Sequence, residues 1–220
     1  TTLQPLQHCR SLISLSAAHN KLDKSVFKHL VGSSGSLERL DVSFNELTSV
    51  DGVGSFPYLN EFYGSNNQVK QITRGQFEGL RSLTKVHLFE NQIASVDTEA
   101  FAKCSNLRDL NLSKNEISDM KFVTMVDGCL VSLNLSDNNI MHFEAVLSMT
   151  VLTSLDLSGN NIYDHSELSY LARVPSLREV GLLGNPLCSL SHGIHDVLDD
   201  DAASDIVLSD AIAPAAHAAH

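Results

Sequence analysis

Eight segments of this chain repeat one pattern, LxxLxLxxNx(L/I/V), and that recurrence constrains the fold more than any other feature. The copies open at Leu12, Leu37, Leu59, Leu83, Leu107, Leu130, Leu152 and Leu177. Their asparagines fall at Asn20, Asn45, Asn67, Asn91, Asn115, Asn138, Asn160 and Asn185, spaced 25, 22, 24, 24, 23, 22 and 25 residues apart. A period in the twenties predicts a solenoid, in which each unit buries its apolar side only by stacking on its neighbours.

Within the motif, the fourth and sixth positions are two apart and point to the same side of a strand, the interior. The residues on either side of the fourth position point to solvent. The asparagine turns the chain, and its amide, with two donors and an acceptor, can meet backbone groups that the turn leaves unpaired. Counting back from each opening Leu, apolar residues recur three and six places earlier: Leu6/Cys9, Val53/Phe56, Phe77/Leu80, Phe101/Cys104, Val146/Met149 and Leu171/Val174. These are expected to fill the convex side of the core. The longer returns after Leu22 and Ile162 have helical spacing, with Gly32-Ser33-Ser34-Gly35 ending the first and Pro175 the second.

On these residues the chain resembles the leucine-rich repeat family over about residues 1–187. The resemblance implies an α/β solenoid: a horseshoe with a parallel concave β-sheet of about eight strands, and mixed loops and short helices on the convex side. Repeats two and six resemble the 22-residue intracellular class, whereas repeats three and four resemble the 24-residue class of extracellular and receptor proteins. The domain reading follows. Residues 1–11 are the end of a truncated preceding repeat, 12–187 are the eight repeats, 188–213 are an acidic helical cap, and 214–220 are a disordered tail. In the cap, Leu190, Ile194, Val197 and Leu198 have helical spacing, and Ser204-Asp205 opens a second apolar group, Ile206 to Ile212.

Charge and cysteine bear on partners and compartment. The net charge is −11, and no Lys or Arg follows Arg178. Nothing resembles the basic stripe that phosphate binding needs, so nucleic acid is not expected as a partner. No apolar run approaches the ~20 residues of a membrane span, and membrane insertion is not expected. The four cysteines lack the framework of a cysteine-rich cap, which favours a reducing compartment and an intracellular, cytoplasmic protein. Asn111-Leu-Ser and Asn134-Leu-Ser are formal glycosylation sequons, but LNLS arises from the repeat itself. His192/His195 and His217/His220 do not supply the three or four converging ligands of a metal site. No catalytic motif stands out, and the expectation is a non-enzymatic protein without cofactors.

The outward strand positions form one ruled surface, the concave face. Repeats two to four gather Arg39, Asp41, Phe44, Glu61, Tyr63, Lys85, His87, Phe89 and Glu90 there, whereas repeats five to seven offer Ser, Asn and Asp. Binding energy concentrates in aromatics and Arg inside a polar rim. These nine residues are therefore the candidate partner-binding patch, with Tyr63 and Phe89 as exposed anchors. Gly64 takes the place of a core Leu, and Phe62 beside it is expected to fill the space. The expected function is a monomeric scaffold or adaptor that binds a protein on its concave face. The alternatives are the ligand-recognition segment of an extracellular or cell-surface receptor, and the substrate-recruiting region of a larger enzyme.

Overall fold

A computed structural model describes residues 3–126 and 128–189, and the backbone of 207–208. Each repeat contributes one short strand to a single parallel sheet. In chain order these are β1 (Ser14–Ser16), β2 (Arg39–Asp41), β3 (Glu61–Tyr63), β5 (Lys85–His87), β7 (Asp109–Asn111), β8 (Ser132–Asn134), β9 (Ser154–Asp156) and β10 (Glu179–Gly181). The register is uniform: the fourth motif position of each repeat pairs with its counterpart, as Leu40 with Phe62 and Leu110 with Leu133. This is the predicted ruled surface. A ninth strand, β11 (Val207–Leu208), adds in parallel to β10, so Val207 and Leu208 are extended rather than helical as expected. Pairing covers the backbone edge of β10, which the end of a solenoid otherwise leaves open. Cap residues 190–206 and 209–213 and the 214–220 tail lie outside the described residues, as do His192, His195, His217 and His220.

The convex side varies with repeat length. The returns after Leu22 and Ile162 hold α1 (Val26–His29) and α2 (Leu168–Leu171), as their spacing predicts. The first helix stops before Gly32, and a 3-10 turn at Val31–Ser33 carries the chain on. Further 3-10 turns occupy Val53–Ser55, Lys121–Met125 and Glu144–Ser148. The two 24-residue repeats instead pair β4 (Gln71–Ile72) with β6 (Ser95–Val96) in a second, two-stranded parallel sheet. A third short helix, α3 (Pro186–Ser189), follows the last repeat.

The core is continuous from repeat to repeat. Along it runs a spine of rings, Phe27, Phe62, Phe77, Phe101 and Phe122, with successive centroids 6.3, 6.1, 4.9 and 6.4 Å apart. Of the predicted convex pairs, all are buried except the first, where Leu6 is half-buried and Cys9 exposed. Cys9 lies at the N-terminal end of the described stack, where no described repeat packs outside it.

The asparagines knit neighbouring repeats. Asn115 Nδ2 donates to the carbonyls of Leu112 in its own repeat and Leu88 in the one before, both at 3.0 Å. Its Oδ1 accepts the N–H of Ile93 at 2.9 Å. Asn45, Asn67, Asn138, Asn160 and Asn185 repeat this arrangement, each buried. Asn91 makes the same bonds while half-buried.

Candidate functional site

Of the nine predicted patch residues, five lie in one network across adjacent strands. The Arg39 guanidinium pairs with Glu61 one strand over and lies 4.6 Å from the Tyr63 ring centroid. The Tyr63 hydroxyl donates to Glu61 Oε2 at 2.9 Å, and the His87 ring meets the Tyr63 ring edge-on at 5.2 Å. His87 Nε2 then faces Asp109 Oδ2 at 3.3 Å, and Lys85 Nζ reaches the same oxygen at 3.0 Å. Lys85 is thus tied in through Asp109, which the sequence reading did not place in the patch.

Tyr63 is not the exposed anchor expected. It is only 6% exposed, lying between Arg39 and His87. Burial, with the Glu61 carboxylate beside it, pushes its hydroxyl up to about 12. Phe89 is half-buried. The aromatic that does face solvent is Phe44, 45% exposed, and it stacks on His19 with ring centroids 4.1 Å apart. Asp41 is occupied with its own loop, its Oδ1 accepting the Ser43 N–H. Glu90 pairs with Lys114 at 2.6 Å, and this contact raises the Lys114 ammonium above its ordinary value. At Asp109 burial pushes the carboxyl up, but hydrogen bonds and charges from His87 and Lys85 outweigh it and hold it low.

The structure adds three residues to the patch: His19, Asp109 and Lys114. Their partners lie in neighbouring repeats, His19 on Phe44, Asp109 with Lys85 and His87, and Lys114 with Glu90, so the pairings follow from the stacking of repeats rather than from any one repeat. The structure also sets the residue before each motif asparagine in the left-handed region. His19, Phe44, Asn66, Glu90, Lys114 and Asp137 have φ of 53 to 56°, and Gly159 and Gly184 have 66 and 75°. That conformation is costly for a side chain. At Gly159 and Gly184 the residue is glycine, which takes it freely.

Gly64 sits as expected. A Cβ there meets Leu88 Cδ2 at 3.0 Å and the Phe62 ring at 3.2 Å, so Phe62 already fills the missing Leu's place. Among the described residues no group of His, Cys, Asp and Glu is arranged to hold a metal ion, and no helix is long and apolar enough to cross a membrane.

Family profiles described as leucine-rich repeat match residues 81–127 and 148–164. Lumican of Coturnix japonica is 32% identical over 177 residues, covering 78% of this chain and 50% of lumican. Lumican of Oryctolagus cuniculus is 32% identical over 174 residues, covering 77% of this chain and 88% of that sequence. Human epiphycan is 29% identical over 159 residues, covering 57% of this chain and 48% of epiphycan. The chain spans about half the length of most of these curated relatives. Among solved structures, an internalin of Listeria monocytogenes superposes with a TM-score of 0.67 at 27% identity, covering 80% of this chain and 49% of the internalin. A leucine-rich repeat protein of Leptospira interrogans gives a TM-score of 0.70 at 22% identity over 83% of this chain and 46% of its own, a likeness of fold.

Lumican and epiphycan are secreted extracellular matrix proteins, which overturns the intracellular, cytoplasmic reading. That reading rested on thiols, and thiols are a weak guide when buried. Of the four cysteines Cys104 is the buried one, and burial pushes its thiol up to about 12. The eight stacked repeats, their asparagine ladder and the similarity to lumican together place the chain in the leucine-rich repeat family.

Proposed function

We propose that this chain is the ligand-recognition segment of an extracellular leucine-rich repeat protein, and that it binds a protein partner on the concave face of repeats two to four. The observation that carries the reading is the unevenness of that face. From β2 to β7 it holds a network of Arg39, Glu61, Tyr63, Lys85, His87 and Asp109, with Phe44 exposed at its rim. From β7 to β9 its Asn and Ser side chains are spent on each other. A half-buried charged and aromatic network beside an exposed ring has the make-up of an interface centre with a polar rim. Relatives that are secreted matrix proteins support the extracellular setting.

Binding on a stacked repeat surface asks for no chemistry, and no enclosed pocket is required for it. Cross-linking mass spectrometry on the secreted full-length protein tests the reading. Lys85 and Lys114 lie on or at the rim of the concave face, whereas Lys103 and Lys121 lie on the returns. Partner cross-links are expected at the first two. Cross-links confined to Lys103 and Lys121 overturn the proposal.

A further inference from the structure

In four repeats the residue that closes the concave strand is an Asp or Asn whose side chain turns back on its own chain. Asp41, Asn111, Asn134 and Asp156 accept the N–H of Ser43, Ser113, Ser136 and Ser158 at 2.9–3.0 Å. Asn111 and Asn134 accept the serine hydroxyl as well, at 2.8 Å. Repeats three and four interrupt this ladder. Tyr63 and His87 stand where the acceptor belongs, and their polar atoms are turned to Glu61 and Asp109.

The consequence is a group of donors with nothing to receive them. The N–H groups of Ser65 and Phe89 meet no acceptor among the described residues. Ser65 Oγ and Asn66 Nδ2 are likewise buried without a partner. The two residues are neighbours across the repeat boundary, where Asn66 N–H donates to the Phe89 carbonyl at 2.9 Å. Ser65 is 1% exposed, against 9% for Ser43 and 8% for Ser113, so its groups are shut off from bulk water. In the first and eighth repeats Ser16 and Gly181 break the ladder too, but Ala18 is half-buried and Leu183 exposed, and no buried polar side chain is left unpaired there.

Resting on the concave-face reading above, we infer that this notch receives the carboxylate of an Asp or Glu side chain presented by the protein partner. The ladder itself shows that a side-chain carboxylate or amide oxygen fits, and of the two only the carboxylate is an acceptor alone. Asp41 and Asp156 place a carboxylate oxygen on the matching N–H within their own repeats, and the partner supplies that oxygen here from outside. An ionised carboxylate only accepts, which suits a site offering unmet N–H donors. Hydrogen bonds to it are charge-assisted and stronger than those to a neutral acceptor. Phe89 is the large side chain next to Ser65 in the column, and its half-buried ring must swing outward to admit the carboxylate.

Amide-resolved NMR of the whole chain tests this, with acetyl-Gly-Gly-Asp-Gly-Gly-amide as the probe and its Asp→Ser twin as the control. The Asp peptide is expected to move the Ser65 and Phe89 amide protons downfield, saturating by about 10 mM, the range open to a contact of one side chain. The Ser twin is expected to bind at least about tenfold more weakly, a difference of about 1.4 kcal/mol. His87→Asn restores an internal acceptor for Phe89, so its amide should start downfield and no longer respond. No shift at Ser65 and Phe89, an equal response to the Ser twin, or an undiminished response of Phe89 in His87→Asn each overturns the notch. A null result here together with concave cross-links at Lys85 and Lys114 removes the carboxylate site and leaves the concave-face reading standing.

Discussion

At the scale of single residues, the motif asparagine is the most consequential side chain. Asn115 meets three carbonyls with its donors and one N–H with its oxygen, all inside the coil. Asn115→Ala leaves these buried groups unmet, and each unmet group costs about 1–3 kcal/mol. The expected result is a loss of at least about 2 kcal/mol in urea unfolding, with Asn115→Asp no better because a carboxylate does not donate. Gly64 makes the opposite point. The repeat consensus calls for Leu there, yet Phe62 and Leu88 already occupy the space. Gly64→Leu is expected to destabilise by about 1–3 kcal/mol through overpacking, and Phe62→Leu combined with it to recover part of the loss. Both residues were readable from the motif, one as a match and the other as a departure with its compensation alongside. Tyr63 was not. Column position put it on the concave face, but the guanidinium of Arg39 and the ring of His87, from other repeats, pack against it there.

At the scale of elements, the strands were legible because their alternation is strict and shared by all eight units, and the parallel register follows once they stack. The returns were less so. Their short helices answered to spacing, whereas the pairing of β4 with β6 depends on two 24-residue repeats lying side by side, which neither shows alone. The same holds for the charges that bridge strands. Asp109 on β7 takes Lys85 and His87 from β5, and these contacts hold its carboxyl below the ordinary carboxylate value despite burial. A carboxyl depressed in the folded state stabilises fully above its unfolded value and loses that contribution as pH falls through the folded one. Wild type should therefore exceed Asp109→Asn in Tm by a constant margin near neutral pH. The margin should shrink below about pH 4, where the unfolded Asp begins to protonate. A margin that stays level down to the acid transition would show that the Lys85–Asp109–His87 contact contributes nothing to the joint between β5 and β7.

At the scale of the whole molecule, the solenoid separates what holds it together from what it presents. The apolar core and the asparagine ladder run from repeat to repeat, with the ring spine along the first five, so stability is spread along the chain as nearest-neighbour contacts. The concave face is not uniform in this way. Around β7 to β9 its Asn, Asp and Ser groups satisfy one another, and a partner gains little by displacing bonds already made. Around β2 to β5 the face carries an exposed Phe44, a half-buried Phe89 and donors without acceptors. Composition drew the boundary between these halves, and side-chain contacts across repeats show its physical basis: one half is closed on itself and the other is not. If binding follows that division, substitutions of similar size must have unequal effects. Phe44→Ala or Phe89→Ala is expected to weaken partner binding at least about fivefold, as removal of an interface anchor does, with Tm little changed for the exposed Phe44. Ser132→Ala and Ser154→Ala, on the concave columns of β8 and β9, should leave affinity within about twofold. Both are read by surface plasmon resonance on the full-length protein with its cross-linked partner. Equal losses from the two pairs would mean that the whole face is engaged, and losses from the serines alone would move the site to the far half.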